Sequence, residues 1–182
     1  MGITPEEAQQ VLSRADRLFD RAAVEQALDR MAREISAKIG EKNPLVLCVM
    51  TGGVIPTGHL LTRFQFPLQL DYVHATRYTG KTRGGELVWI ARPQHSLKDR
   101  CVLIIDDIYD EGVTLTSLVA SCREEGAVEV YTAALVEKLH DRKTEYNVDF
   151  IGLQVADRYV FGYGMDYKDY HRNVDGIYAE NS

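Results

Sequence analysis

Residues 102–115 read VLIIDDIYDEGVTL. The run Cys101 to Ile105 is short, apolar and largely β-branched, the pattern of a strand covered on both faces. It delivers three carboxylates, Asp106, Asp107 and Asp110, into a loop that turns at Gly112 and enters a helix expected from about Thr114 to Glu125, where Gly126 stops it. Working outward, the apolar run Leu45 to Met50 is broken by Thr51-Gly52-Gly53 and followed by a helix from about Ile55 to Arg63, a βα unit. Leu68 to Thr76, Leu87 to Ala91, Val128 to Val136 and Phe150 to Val155 read as further strands. This alternation predicts an α/β fold, a mostly parallel central sheet with right-handed crossovers and flanking helices.

Thr4, Pro5 and Glu7 suit the cap, first and third positions of a helix, and Val24, Leu28, Met31, Ile35 and Ile39 recur at helical intervals before Gly40. Residues 1–40 therefore read as an N-terminal helical segment. RYTGKTRGGE, residues 77–86, is too polar to pack and reads as an exposed, mobile loop. After Asp157 the tail RYVFGYGMDYKDYHRN has neither helical nor strand period; residues 156–182 are expected to form a small hood.

At 182 residues the chain suits one domain. Its net charge of −6 provides no basic field for nucleic acid, which is not expected as a partner. Cys48, Cys101 and Cys122 lack metal-ligand spacing and read as small buried residues of a reducing compartment. The N-terminus carries no targeting pattern, and no apolar run approaches the roughly 18–20 residues that span a bilayer. No membrane association and a cytoplasmic location are expected.

A strand ending in acids is the carboxyl edge where open α/β sheets place ligands. Backbone N–H groups from Glu111 through Gly112 and Val113 to Thr114, with the Thr114 hydroxyl, can hold a phosphate at the positive end of a helix dipole. The adjacent carboxylates Asp106 and Asp107 make sense if the ligand also presents vicinal hydroxyls, which donate to ionised acids. A sugar phosphate meets both halves. Three acids that merely cap a helix and solvate a loop are the alternative; against it, like charges crowded beside an apolar sheet call for a ligand or metal to offset their repulsion.

The string resembles the PRPP-binding signature of type I phosphoribosyltransferases, and its flanking motifs are similar to the hypoxanthine-guanine branch, the likeness running from near Leu45 to the C-terminus. The resemblance implies that Asp106 and Asp107 meet the ribose hydroxyls and, partly through water, a PRPP-bound Mg2+. Asp110 would approach purine N7 as general acid or base. Glu111 stands where Thr or Ser is often seen, so it is expected to offer only its N–H and to point away from the phosphate. Thr51-Gly52-Gly53 resembles the pyrophosphate loop, in which one peptide is often cis; an ordinary βα turn is the plainer reading. Arg77-Tyr78, with Lys81 and Arg83, stands in the place of the lid that excludes water, the alternative being a solvated hairpin tip.

By the same resemblance Lys138 would donate to purine O6, selecting a carbonyl over an amino group there. Tyr159 would stack on the base, Val160 would offer backbone groups to its edge, Asp166 would help hold a second Mg2+, and Arg172 would meet pyrophosphate. The tail tyrosines could instead build a subunit interface, a reading compatible with the first; the five histidines lack ligand spacing and none is assigned to metal or catalysis. The implied partners are PRPP and a 6-oxopurine, the implied activity is formation of IMP or GMP, and a homo-oligomer, dimer or tetramer, is expected. Two rivals stand beside this reading: a transferase for xanthine or a pyrimidine, and a PRPP-sensing regulator that binds RNA.

Overall fold

A computed structural model describes residues 2–77 and 87–181. The elements in chain order are α1 Pro5–Arg14, β1 Asp16–Phe19, α2 Arg21–Ile39, β2 Leu45–Val49, α3 Val54–Leu61, β3 Gln69–Arg77, β4 Leu87–Ala91, β5 Cys101–Tyr109, α4 Val113–Glu124, β6 Glu129–Leu139, β7 Phe150–Ala156, β8 Val160–Phe161 and β9 Ile177–Ala179. Six strands form the central sheet in the order β4-β3-β2-β5-β6-β7. Every neighbouring pair is parallel except β3 with β4, which is antiparallel. The α/β class and the mostly parallel sheet expected from the apolar runs are borne out.

The two faces of β5 explain its unbroken hydrophobicity. Leu103 and Ile105 join Leu28, Met31, Ile35 and Leu60 in a core on the α2 and α3 side. Val102 and Ile104 join Leu115, Leu118 and Val119 of α4 on the other. Each such side chain, fully removed from water, contributes roughly 1.5–3 kcal/mol. From β2 the chain crosses through α3 to β3 on one side, and from β5 it crosses through α4 to β6 on the other. The crevice between the carboxyl ends of β2 and β5 is therefore a topological switch point, the place where such sheets receive ligands.

Thr4 caps α1 as expected, its side chain accepting from Glu7 N–H while Glu7 reaches back to the Thr4 N–H. Two expectations need correction. The first forty residues are not all helical, since β1 separates the helices and pairs antiparallel with β9, Asp16 opposite Ala179. Asp20, whose carboxylate accepts from Ala23 N–H at 2.9 Å, is the cap that starts α2 and was the overlooked signal. Nor does β5 end at Ile105: its pairing with β6 continues through Tyr109 opposite Glu137, so Asp106 and Asp107 lie in the strand rather than in a loop.

The second sheet, β1-β9-β8, gathers both ends of the chain. Phe161 is fully buried in it and stacks on Tyr178 with ring centroids 5.8 Å apart. Tyr163 ties this layer to α2 by donating its hydroxyl to Glu25 at 2.7 Å; burial, helped by that bond, pushes the phenol up to about 12, so it stays a donor. Glu25 is shared with Arg63, just beyond α3. Cys48, Cys101 and Cys122 are buried free thiols, as expected.

Candidate functional site

Asp106 to Ile108 and Asp110 to Leu115 line one cavity of about 170 Å3 at the end of β5. The chain turns into α4 at Gly112, whose φ of 82° is left-handed, and no side chain caps the helix. Gly112, at the cap, has no side chain to accept the first N–H groups, the condition for an anion cradle. Gly112 is needed twice over, because a Cβ there would also come within 2.8 Å of Thr144 Oγ1. Glu111 accepts Thr144 N–H through its carbonyl at 2.8 Å, which pins the 140s loop against the cradle.

Asp106 and Asp107 are stabilised by backbone donors, Asp107 N–H to Asp106 at 2.9 Å and Ile108 N–H to Asp107 at 2.8 Å. Burial nevertheless pushes both carboxyls upward, and the Asp107 charge pushes Asp106 further, while the Arg172 guanidinium partly restrains Asp107. An acid raised in the folded state destabilises that state as pH climbs from the ordinary carboxylate range through the raised value. Asp106→Asn should therefore raise the melting temperature of ligand-free protein at neutral pH by about 2–4 °C, the equivalent of ~1 kcal/mol in a chain of this size. A lower melting temperature in calorimetry would contradict the assigned repulsion.

The turn after β2 closes on the same acids. Met50–Thr51 is a cis peptide. A Cβ on Gly52 would overlap the Asp107 carboxylate, and one on Gly53 would meet the carbonyls of Val49 at 2.6 Å and Ile105 at 2.7 Å. Gly53 N–H is donated to Val49 at 2.8 Å, so this glycine serves close packing rather than presenting a donor. Gly164, at φ 108°, packs against the Gly52 carbonyl. Arg172 holds that hood turn by donating to Gly164 O at 2.7 Å and pairs with Asp166 at 2.7 Å, while Asp166 also accepts Asp169 N–H at 2.8 Å. Thr51 to Gly53, Asp107, Asp166 and Arg172 are thus joined through Gly164 and the Gly52–Asp107 contact.

On the other flank Lys138 Nζ donates to Asp110 at 2.8 Å, and His140 Nε2 lies 2.7 Å from the other Asp110 oxygen. Burial pushes the Asp110 carboxyl up, but the hydrogen bonds from Lys138 and His140 and the lysine charge outweigh it, and the group sits below the ordinary carboxylate range. His140 was not singled out from sequence. Asp110, His140 and Asp157 bring ligand atoms within 4.8 Å of one another, yet Lys138 and Arg142 already pair with the two carboxylates. Tyr159 is 47% exposed, edge-on to Tyr167, and Val160 is buried in register with Ala179. Arg77 ends β3, and the lid expectation for Tyr78, Lys81 and Arg83 lies outside the described residues.

A strand-end crevice with paired acids, an uncapped helix start and a guanidinium opposite defines an α/β protein built to bind a phosphorylated sugar. The chain belongs to the phosphoribosyl transferase domain family, whose model matches residues 14–169. The hypoxanthine-guanine-xanthine phosphoribosyltransferase of Tritrichomonas foetus is 29% identical over 90% of this chain and 91% of its own length. The hypoxanthine-guanine phosphoribosyltransferase of Bacillus subtilis is 29% identical over 88% and 89%. Among solved structures, hypoxanthine phosphoribosyltransferase from Trypanosoma cruzi superposes with a TM-score of 0.87 at 25% identity, covering 93% of this chain and 97% of that one.

Proposed function

We propose that the chain transfers the 5-phosphoribosyl group of PRPP to N9 of hypoxanthine or guanine, giving IMP or GMP and pyrophosphate. The observation that carries this reading is the convergence of Asp106, Asp107, Asp110 and the turn 111–114 in one cavity, with Lys138 seated on Asp110 at its edge. The relatives named for this activity, matched over nearly their whole length, support it.

The α4 start and Thr114 hold the 5-phosphate, with Glu111 contributing its N–H. Asp106 and Asp107 accept from the ribose hydroxyls. The Thr51 and Gly52 amides and Arg172 receive the pyrophosphate as the C1–O bond breaks, and the N9–C1 bond forms on a ribose of oxocarbenium-like charge. The N7 proton of the base passes to Asp110, which the neighbouring lysine and histidine keep ionised. Lys138 turns to O6, Tyr159 lies against the base, and Val160 offers backbone groups to its edge. The small sheet serves as the hood of a single working domain.

Adjacent and oxygen-only, Asp106 and the buried Asp107 fit Mg2+, as does Asp166 near the pyrophosphate loop. When bound, Mg2+ supplies neutralisation of the leaving pyrophosphate. The protein works in the cytoplasm as a homo-oligomer; among the described residues no helix is long and apolar enough to cross a membrane.

The test is nucleotide formation from PRPP and Mg2+ with hypoxanthine, guanine, xanthine, adenine and uracil in parallel. Turnover of hypoxanthine and guanine is expected. Turnover of adenine or uracil alone would sink the base assignment, and PRPP binding with no turnover would mark a regulator.

A further inference from the structure

Asp110 is clasped from two sides by donors of different character. The Lys138 ammonium ends a flexible stem of rotatable bonds. The His140 side chain is only 4% exposed, and its Nδ1 accepts the Arg142 N–H at 3.1 Å. A ring nitrogen that accepts an N–H carries no proton, so the imidazole proton sits on Nε2 and is donated to Asp110 Oδ1. Arg142 is itself anchored by a two-pronged pair with Asp157, at 2.8 and 3.1 Å. The backbone thus sets the tautomer of His140, and packing sets its orientation.

A purine approaching Asp110 competes with these two donors for a carboxylate whose oxygens can accept several hydrogen bonds. Lys138 is the one free to leave, because purine O6 offers it another acceptor. Once it has left, the 40% exposed carboxylate would turn about its last side-chain torsion, which is a soft one, unless something held the second oxygen. Resting on the reaction proposed above, we propose that His140 is a positioning residue that holds Asp110 Oδ1 through the transfer, so that Oδ2 faces purine N7 when Lys138 moves to O6. His140 touches neither substrate; it acts through Asp110.

The experiment compares wild type, His140→Gln and His140→Leu in steady-state nucleotide formation from PRPP, Mg2+ and hypoxanthine. Glutamine can place an amide N–H near the site of Nε2, whereas leucine fills similar space without a donor. The leucine variant should lose about 10- to 100-fold in kcat, the usual worth of an aiming hydrogen bond to a charged group, with the KM for PRPP within about threefold of wild type. The glutamine variant should recover kcat to within about fivefold of wild type. Equal rates in the two variants, or a loss confined to KM, would overturn the inference while leaving the wild-type reaction standing. Failure of wild type to turn over any base would overturn the proposed reaction and this inference with it. Nitrogen NMR of the wild-type imidazole decides the matter even if the leucine variant does not fold: a proton on Nε2 is expected, and one on Nδ1 would overturn the role.

Discussion

Asp110→Asn should lower kcat for nucleotide formation by about 10²- to 10⁴-fold, the usual contribution of a positioned general acid or base. The amide keeps the size of the carboxylate and one oxygen for Lys138, but its NH2 cannot take a proton from N7 and confronts the Nε2–H of His140. The KM for PRPP should change little, because the cradle proposed for residues 111–114 does not depend on this side chain. Single-turnover kinetics separate the chemical step from product release. A variant within about threefold of wild type in that step would remove Asp110 from the chemistry. The same geometry constrains the pH profile. Since Lys138 and His140 hold the carboxyl of the free protein below its ordinary range, the acid limb of kcat/KM belongs below the usual carboxylate values or to another group.

Gly52→Ala should raise the KM for PRPP by about 10²-fold, the loss that a displacement near 1 Å produces in a positioned site. The new methyl would occupy the place of the Asp107 carboxylate, which must swing away and give up the Ile108 N–H at 2.8 Å. The turn cannot yield instead, because Gly164 of the hood packs on the Gly52 carbonyl and Gly53 packs on β5. Isothermal titration with PRPP and Mg2+ is the direct measurement. Wild-type affinity in the alanine variant would mean that the turn and the acid do not act together.

Much of this could be read from residue patterns, because the decisive segments obey simple periods. A strand is apolar where both its faces are covered, as residues 45–49, 101–105 and 133–136 are; the proposed phosphate cradle follows from acids, a glycine and a helix start in fixed succession. What escaped lies where period carries no information. β1 is four residues of mixed polarity between two helices, and its partner stands at the other end of the chain. The tail is built on left-handed residues, among them Tyr163, Lys168, Asp169 and His171, and on isolated bridges, so neither alternation nor a helical stripe marks it. His140 escaped for a third reason: its meaning rests on the contact with Asp110, thirty positions away and brought near by the pairing of β5 with β6. The packing role of Gly53, whose N–H is already donated to Val49, likewise rests on carbonyls of two strands that only the folded sheet brings together.

The pairing of β1 with β9 has a bearing on synthesis. The central sheet and its phosphate cradle lie within residues 45–156, whereas the layer carrying Tyr159 needs Asp16 beside Ala179. During synthesis the strands of the central sheet can pair while β1 still waits, unpaired until β9 has been made. The layer beside Tyr159 is therefore completed only when both β1 and β9 are available. Loss of β1 or of β9, each only a few residues and far from the acids in sequence, would leave the central sheet standing and undo the small sheet beside Tyr159.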